Sequence, residues 1–226
     1  MTYSNVRPAV FLRRPNRFIA VCEMDGKETI VHVKNTGRCR ELLIPGAKVY
    51  LTRPDSSNRK TEFDLVCVEK GERLINLDSQ APNRAAPELF RHLWPDCLIL
   101  PEQRFRDSRF DFLLQTKTGP NFIEVKGVTL EENGAAYFPD APTLRGVKHL
   151  GGLCDAVREG YRASILFLIQ MCDVKYFAPN ERTHPEFGEA LRSAASSGVD
   201  ILAWDCDIKP DSMSPRSPVP VILNAN

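Results

Sequence analysis

The sequence has no long apolar run and no closely paired cysteines. Its longest apolar segment, residues 164–169, has the length of a β-strand, whereas a helix that spans a bilayer needs about 20 apolar residues. The first residues also lack an apolar signal core, which favours a cytoplasmic protein with no membrane partner. The seven cysteines are scattered and none belongs to a Cys-x-x-Cys pair, so we expect neither a zinc site of paired thiols nor a disulfide framework.

The net charge of the 226-residue chain is only +1, but the charge is unevenly distributed. Residues 1–60 contain 12 Lys and Arg against 5 Asp and Glu, a net charge of +7, and the remaining 166 residues carry a net charge of −6. A basic segment joined to an acidic remainder is typical of a protein that binds a polyanion with one of its parts. A basic surface that contacts only solvent is the alternative, and charge alone does not separate the two.

The first 80 residues consist of short strands with little room for helix. Apolar or alternating runs predict strands at residues 9–12, 17–22, 28–33, 48–52 and 63–68. Between the second and third runs, Asp25-Gly26 predicts a two-residue hairpin turn, because such turns need positive φ. Five strands in so short a segment indicate a small closed barrel of the oligonucleotide-binding (OB) type.

Residues 81–226 alternate helices and strands, which predicts an α/β domain and a mixed, α+β fold class for the whole chain. Near-continuous apolar strands between helices indicate a sheet that is covered on both faces. Residues 210–226 contain four prolines and three serines and are predicted to form a tail. We expect helices at about 84–93, 144–159 and 185–196, and strands at 98–100, 109–114, 122–128, 164–169, 174–177 and 199–204.

A carboxylate in one predicted strand faces a Glu-x-Lys pattern in the next. Because side chains alternate along a strand, Glu124 and Lys126 share a face, and pairing of the two strands brings Asp111 beside Glu124. Two adjacent carboxylates suit Mg²⁺ or Mn²⁺, which acidifies a water and neutralises a phosphate. Lys126 could then hold the attacking water or stabilise the transition state. Asp111, Glu124 and Lys126 thus match the catalytic pattern of the PD-(D/E)xK nuclease class.

The same three residues have a purely structural interpretation. Charged side chains within apolar strands are costly unless they are paired or bound to a metal. An ion pair of Lys126 with Asp111 or Glu124 would hold the sheet together and bind no ligand. On the first predicted helix, Glu88 is a further candidate metal ligand, although such a residue is more often a solvated helix charge.

Two other segments carry groups that favour phosphate. Segment 32–38 ends a predicted strand in a glycine-containing turn flanked by cations, where backbone amides can form an anion nest. Thr143 is a predicted N-cap of the second helix, which places basic residues near the positive end of the helix dipole. The predicted nucleic-acid contacts are Arg13, Arg14, Arg17, Lys34, Asn35, Arg38, Arg40, Arg145, Lys148 and His149.

Over nearly its full length the chain resembles the sugar fermentation stimulation protein (SfsA) family. The resemblance is carried by segments 32–38, 42–46, 108–113, 124–130 and 138–150, of which the last begins Phe-Pro-Asp-Ala-Pro-Thr-Leu-Arg. It implies an N-terminal OB-like barrel, here residues 1–80, and a C-terminal PD-(D/E)xK nuclease-like domain, here residues 81–226. It also implies DNA binding that is linked to the regulation of sugar use, notably of maltose, and it places the family's Asp, Glu and Lys at Asp111, Glu124 and Lys126.

The residues support three functional hypotheses. The first is a DNA-binding protein with a Mg- or Mn-dependent nuclease site, whose binding is largely independent of base sequence. The second is a non-catalytic DNA-binding regulator that keeps only the nuclease fold. The third is an enzyme that holds a metal for a phosphorylated sugar, which the basic N-terminal segment disfavours because a small substrate needs no extended basic surface. The oligomeric state stays open, a homo-oligomer included.

Overall fold

The computed structural model describes residues 1–35, 37–54 and 59–224. The N-terminal part consists of β1 (Arg7–Asn16), β2 (Ile19–Met24), β3 (Lys27–Val33), β4 (Lys48–Thr52), β5 (Phe63–Lys70) and β6 (Arg73–Asn76). Three helices follow in the C-terminal part, α1 (Ala81–Leu93), α2 (Leu144–Arg158) and α3 (Pro185–Ser196). The C-terminal strands are β7 (Leu98–Phe105), β8 (Ser108–Thr116), β9 (Gly119–Val128), β10 (Leu130–Glu132), β11 (Ala135–Phe138), β12 (Arg162–Ile169), β13 (Tyr176–Pro179), β14 (Asp200–Lys209) and β15 (Ser212–Pro218).

Five N-terminal strands close into a barrel, which confirms the predicted OB fold. The order β3-β2-β1-β4-β5 is antiparallel, a parallel pairing of β3 with β5 closes it, and β6 extends β5. The predicted hairpin turn is present at Asp25-Gly26, where φ is 53° and 72°. Phe11 and Phe63 lie in the barrel core, whereas Phe18 is 42% exposed. The barrel therefore keeps one aromatic face in contact with solvent.

The C-terminal domain is a six-stranded mixed sheet with helices on both faces, as the alternation of elements predicts. Its order is β15-β14-β12-β9-β8-β7, with β9, β12 and β14 parallel and the outer strands antiparallel. From Ala163 to Ile169 every residue of β12 is buried, because both faces of the sheet are covered. Through Leu89 and Phe90, α1 packs on one face, and α2 and α3 pack on the other. A small sheet of β10, β11 and β13 completes the domain.

The prediction of a tail at residues 210–226 is wrong for most of that segment. Ser212–Pro218 form β15, which pairs antiparallel with β14 at the edge of the sheet. Proline has no N–H to donate to a neighbouring strand. It is tolerated in an edge strand because one side of that strand is not paired. Beyond β15, Val221 forms a bridge with Phe177, and residues 225 and 226 lie outside the described chain. The composition of this segment thus reflects an edge strand.

The first residues of the chain pair with the same edge. Thr2 forms a bridge with Ser212, and the backbone N–H of Tyr3 donates a hydrogen bond to the carbonyl of Asp211 at 2.7 Å. From this edge the chain enters the barrel at β1, and it returns to the C-terminal domain between β6 and α1. The barrel is therefore joined to the sheet at two places.

All seven cysteines lie within the described chain as free thiols, and five are buried: Cys22, Cys39, Cys67, Cys154 and Cys206. Burial raises the pKa of Cys22 and of Cys39 to about 12. These thiols stay protonated at neutral pH and pack as small hydrophobic groups. Among the described helices, none combines the length and the apolar character needed to cross a bilayer.

A buried aspartate connects the two domains. The side chain of Asp78 is fully buried, and its Oδ2 accepts hydrogen bonds from Lys34 Nζ at 2.9 Å, from Arg84 at 2.5 Å and from the Tyr3 hydroxyl at 3.1 Å. Because Lys34 follows β3 and Arg84 belongs to α1, one carboxylate holds both domains. At the end of β12, Gln170 Nε2 adds a hydrogen bond to the Asp78 carbonyl at 3.1 Å.

Replacing this carboxylate by an amide tests the connection. We expect Asp78→Asn to lower the free energy of unfolding by about 2–3 kcal/mol, because hydrogen bonds to charged partners are lost in a buried site. Urea unfolding followed by circular dichroism measures the change. Asp25→Asn is the matched control, since Asp25 pairs with Arg7 at an exposed surface where such pairs contribute little. Equal stability of the two variants would contradict this role of Asp78.

Candidate carboxylate centre and nucleic-acid interface

Strands β8 and β9 separate at the point where the predicted carboxylates lie. Their regular pairing reaches Phe112 opposite Ile123 and stops there. At the next position a side chain takes the place of the backbone acceptor. The Oδ2 atom of Asp111 accepts a hydrogen bond from the backbone N–H of Val125 at 2.8 Å. Further along β9, regular pairing continues with β12 on the other side. Asp111 therefore lies against the part of β9 that carries Glu124, as the sequence predicts.

The carboxylate of Asp111 is oriented by donors at both oxygens. Besides the bond from Val125, Oδ1 accepts a hydrogen bond from Asn83 Nδ2 of α1 at 2.8 Å. Burial raises the pKa of Asp111 above its ordinary value, the negative charge of Glu124 raises it further, and the two donors oppose the change. The side chain is therefore fixed in direction, and its ionised form is disfavoured by burial and by the charge of Glu124.

Glu124 is held by two cationic or polar partners at one oxygen. The residue is 2% exposed, and Oε1 accepts hydrogen bonds from Lys126 Nζ at 2.5 Å and from Nδ1 of His149 on α2. Burial alone would raise the pKa of Glu124, but the hydrogen bond from His149 and the charge of Lys126 bring the pKa below its ordinary value. Glu124 is therefore ionised over the whole physiological range of pH.

The second oxygen of Glu124 distinguishes this cluster from a complete ion pair. Oε2 is buried, and no hydrogen-bond donor from residues 1–35, 37–54 or 59–224 reaches it. Buried polar atoms are almost always partnered, so this carboxylate oxygen is free to accept a water or to bind a cation. Two carboxylates fit Mg²⁺ or Mn²⁺, since such ions take one or two carboxylates and complete their coordination with waters and phosphate oxygens. In the described chain no group of three His, Cys, Asp or Glu side chains is arranged to hold an ion by itself.

Glu88 does not join the two carboxylates. It lines a separate pocket of about 220 Å³ together with His92, Trp204 and Arg216. The residue of α1 that reaches the centre is Asn83, which the sequence analysis missed. A neutral amide near the start of a helix carries no charge pattern, so no sequence signal pointed to it.

Exposed arginines of the barrel surround one pocket. This basic pocket has a volume of about 270 Å³ and is lined by Arg14, Asn16, Arg17, Gly37, Arg38, Arg40 and Leu43. Arg17, Arg38 and Arg40 are exposed, and the guanidinium of Arg17 lies 4.7 Å from the centre of the Phe18 ring. The pocket brings together four of the predicted nucleic-acid contacts, three of them exposed, beside an exposed aromatic ring.

Arg14 has a different place in this pocket. Its guanidinium donates hydrogen bonds of 2.7–2.9 Å to the backbone carbonyls of Arg17, Asn35, Gly37 and Arg38. These bonds use the donors that a phosphate would need. Arg14 therefore shapes the loop that carries Arg38, and its exposed neighbours are the ones available to an anion.

Three other predicted contacts of the barrel are occupied within the protein. Lys34 binds Asp78, and Arg13 forms an exposed pair with Glu28, with N–O distances of 2.7 and 2.8 Å. Asn35 Oδ1 accepts a hydrogen bond from the backbone N–H of Gly37 at 2.7 Å. Lys34 and Asn35 thus fix the loop and its position against the C-terminal domain.

The remaining predicted contacts lie in the first turns of α2, where two are exposed and one is buried. Thr143 is the N-cap, because its side chain accepts a hydrogen bond from the Gly146 N–H at 3.0 Å. Arg145 and Lys148 are exposed, whereas His149 is buried and contacts Glu124. The predicted contact of His149 with nucleic acid does not fit its burial. Helical spacing is the physical reason, since His149 lies on the same face as the buried Gly146 and Leu150.

Comparisons with known proteins agree with both domains. The family description "SfsA N-terminal OB domain" matches residues 12–77, and "Sugar fermentation stimulation protein RE domain" matches residues 80–212. Among similar proteins named "Sugar fermentation stimulation protein homolog", that of Desulfitobacterium hafniense strain Y51 is 57% identical over 94% of each chain. That of Clostridium beijerinckii is 53% identical over 99% of this chain and 100% of the relative.

A solved structure is similar over both domains. SfsA of Pyrococcus furiosus, whose structure was determined in complex with Ca²⁺, is 30% identical and superposes with a TM-score of 0.87 over 98% of each chain. The likeness extends across the OB barrel and the nuclease-like α/β domain, which confirms the predicted fold class. Taken with the matches over residues 12–212, it shows that this chain belongs to the sugar fermentation stimulation protein family.

Proposed function

We propose that the protein binds DNA through its barrel, residues 1–80, and cleaves the DNA backbone with Mg²⁺ or Mn²⁺ held at Asp111 and Glu124 in residues 81–226. The observation that carries this proposal is Glu124 Oε2, a buried carboxylate oxygen that meets no donor in the described chain and lies beside a second carboxylate. A divalent ion offsets the cost of that arrangement. When bound, the ion acidifies a water and neutralises charge on a phosphate.

The side chains around the carboxylates supply orientation and positive charge. Asn83 and the Val125 N–H fix the direction of Asp111, and His149 fixes Glu124 from α2. The ammonium group of Lys126 is part-buried, and it supplies the positive charge that stabilises charge developing on a phosphate. These groups are in place before any substrate binds, which favours catalysis because no reorganisation is needed.

A structural relative supports the divalent ion. SfsA of Pyrococcus furiosus was solved with Ca²⁺ and shares the fold of this chain over 98% of its length. Ca²⁺, Mg²⁺ and Mn²⁺ all prefer oxygen ligands, so a fold that accepts one offers the kind of site that the others need. We assign that preference in this chain to Asp111 and Glu124.

The basic pocket supports DNA as the partner. Guanidinium groups match the geometry of phosphate oxygens, and Arg17, Arg38 and Arg40 present three of them to solvent around one pocket. Phosphates repeat identically along any sequence, so contacts from loop arginines position DNA without reading its bases. The exposed ring of Phe18 adds a stacking surface that every base can use.

A second candidate is a DNA-binding regulator that does not cleave. The observation in its favour is the ion pair of Glu124 with Lys126, supported by His149, which compensates the charge of one carboxylate from within the protein. In that case the nuclease-like domain would serve as a rigid scaffold, and DNA binding alone would act in the regulation of sugar use.

Metal-dependent melting separates the two candidates. We expect Mn²⁺ at about 100 times its dissociation constant to stabilise the wild-type protein by about 2.7 kcal/mol. Asp111→Ala and Glu124→Ala abolish this gain and any cleavage of plasmid DNA, because each removes a ligand. Lys126→Ala keeps the gain and loses cleavage, since its charge acts on the substrate. Glu88→Ala is the matched control and keeps both properties.

One outcome would establish the structural interpretation of these residues. It combines no stabilisation of the wild type by Mn²⁺ with a loss of about 3–5 kcal/mol in both the Asp111→Ala and the Lys126→Ala variants, as for a broken buried ion pair. Stabilisation by Mn²⁺ without cleavage of linear or supercoiled DNA would favour the non-catalytic regulator.

The raised pKa of Asp111 makes ion binding dependent on pH. Since the ion binds the ionised carboxylate, a proton must leave Asp111 wherever the raised pKa keeps it protonated. Affinity for Mn²⁺ therefore falls as the pH is lowered towards the raised pKa of Asp111, a range of pH that lies above the ordinary aspartate pKa of about 3.9. Glu124 contributes little in this range because its pKa is lowered. Titration calorimetry in two buffers of different ionisation enthalpy counts the released protons, and affinity that is constant over this range would exclude Asp111 as a ligand.

Phosphate contacts make DNA binding dependent on salt. We expect the logarithm of the affinity to fall linearly with the logarithm of the salt concentration, with a slope of about −0.9 for each phosphate contacted. In fluorescence anisotropy, Arg38→Ala and Arg40→Ala should each reduce the slope by about 1. Lys27→Ala is the control, because Lys27 lies at the opposite end of the β2–β3 hairpin from the basic pocket. Affinity that does not change with salt, or an equal effect of Lys27→Ala, would contradict the assignment.

A further inference from the structure

An exposed hairpin of the C-terminal domain holds a second group of arginines. Strands β7 and β8 pair as far as Phe105 opposite Ser108, and Arg106 and Asp107 form the turn between them. The end of this hairpin borders a pocket of about 330 Å³, which we call the hairpin pocket and which is lined by Arg104, Arg106, Asp107, Ser108 and Arg109. All three arginines are exposed. They outnumber the one aspartate, although residues 61–226 as a whole carry a net charge of −6.

Two of these arginines lie directly opposite each other in the hairpin. Arg104 of β7 is the cross-strand partner of Arg109 of β8. Side chains of directly opposite residues project from the same face of a sheet with Cβ atoms about 5 Å apart, and two like charges in this arrangement destabilise the pairing. An anion bound between the two guanidinium groups would remove that repulsion.

Neighbouring carboxylates leave this arginine pair largely uncompensated. Arg106 forms an ion pair with Glu159 at the end of α2 and so fixes the turn against the helix. Arg109 lies 3.8 Å from Glu102, but both side chains are more than half exposed, and such pairs contribute little. Arg104 forms no ion pair with any carboxylate of the described chain. The donors of Arg104 and Arg109 are therefore available to a ligand.

The base of the hairpin is packed against the rest of the domain. Phe105 is buried, and the centre of its ring lies 6.4 Å from that of Phe110 and 5.7 Å from that of Tyr161. On α2, a Cβ added at Gly152 would lie only 2.5 Å from Oγ of Ser108, so the helix rests directly on β8. The arginine pair thus projects from a fixed support, which reduces the entropy lost when a ligand binds.

The arginine pair lies on the same face of β8 as one of the carboxylates. Ser108 and Phe110 both approach Gly152 and therefore point towards α2. Because side chains alternate along a strand, Arg109 points to the opposite face. That face is covered by α1, from which Asp111 accepts a hydrogen bond. Arg109 and Asp111 are two residues apart, which corresponds to about 7 Å along a strand.

We propose that Arg104 and Arg109 together bind one backbone phosphate of the DNA strand that lies at the carboxylate centre. The inference rests on the proposed function, and it adds a phosphate site on the C-terminal domain to the contacts of the barrel. Guanidinium groups match phosphate oxygens with paired hydrogen bonds. Phosphates of one strand follow each other every 3.4 Å or so along the duplex axis. A site about 7 Å from Asp111 along β8 therefore serves a phosphate within a few nucleotides of the one to be cleaved.

The salt dependence of DNA binding tests this site in the full-length protein. Fluorescence anisotropy with a labelled duplex of 20 base pairs and no added metal gives the affinity at each salt concentration. We expect the double variant Arg104→Gln/Arg109→Gln to bind about tenfold more weakly at low salt. Its salt slope should fall by about 1 rather than by about 2, because the two arginines hold a single phosphate.

A matched control removes an exposed arginine far from the hairpin. Arg162 begins β12 opposite Asn121, at the other end of the sheet, and it pairs with Asp200. Since Arg162→Gln changes the net charge as either single replacement does, we expect it to leave the affinity and the salt slope unchanged.

Thermal melting of the Arg104→Gln variant without DNA separates binding from a structural role. Because this replacement removes the like-charge repulsion, the melting temperature should rise at low salt, and the difference should disappear at 1 M salt, where charges are screened. A variant that is more stable and yet binds DNA less tightly fits a binding site. A lower melting temperature would show that the arginines support the fold, which overturns the inference.

The DNA measurements have three contrary outcomes. If the double variant binds as the wild type does while Arg38→Ala still reduces the salt slope, the inference is overturned and the proposed function stands. An equal loss in Arg162→Gln would show an effect of net charge without a site, which overturns it as well. If the wild-type protein does not bind the duplex, the proposed function fails and the inference fails with it.

Discussion

The separation of β8 from β9 at Asp111 is the constraint on which the carboxylate centre depends. Breaking a ladder leaves a backbone N–H of β9 without its partner, and a buried unpartnered N–H is costly. The Asp111 carboxylate removes this cost by accepting the Val125 N–H, so the same side chain ends the pairing and faces Glu124. A regular hairpin would have filled the space beside Glu124 with backbone, whereas the broken one keeps a carboxylate there.

The two carboxylates are adapted to this place in opposite ways. Glu124 is the more buried, yet its pKa is lowered because Lys126 and His149 meet it at one oxygen. Asp111 has neutral donors at both oxygens, and its pKa is raised by burial and by its neighbour. The pair therefore avoids two full negative charges in a site of low polarity, and it retains one ionised group that can attract a cation. The excess of acidic residues lies after residue 60, apart in sequence from the exposed arginines of the basic pocket.

The sequence was sufficient for those features that depend on local pattern. Alternation placed Glu124 and Lys126 on one face, and the Asp-Gly pair marked the β2–β3 turn. The predicted helix begins at residue 84 and so leaves out Asn83. In the structure α1 begins at Ala81, because proline is favoured in the first turn of a helix and Pro82 lies there. His149 was assigned to the surface although the spacing of residues 146, 149, 150 and 153 marks the buried face of α2. Both signals are local; what local pattern does not encode is the distant partner of each side chain, which is Asp111 for Asn83 and Glu124 for His149.

The pairing of Thr2 with Ser212 gives the molecule a mechanical property. Two domains on a single linker can swing about it, whereas here the strand entering the barrel and the segment leaving it are both fixed to the C-terminal domain, the latter through Asp78. Such a double attachment resists hinge motion, so the distance between the basic pocket and the carboxylates is set by the fold. Two surfaces held at a fixed separation fit only a ligand that can reach both of them at that distance. Under the proposed function, DNA that contacts both surfaces would have to bend to fit this distance, and a locally unpaired strand bends far more easily than a duplex with a persistence length of about 150 base pairs.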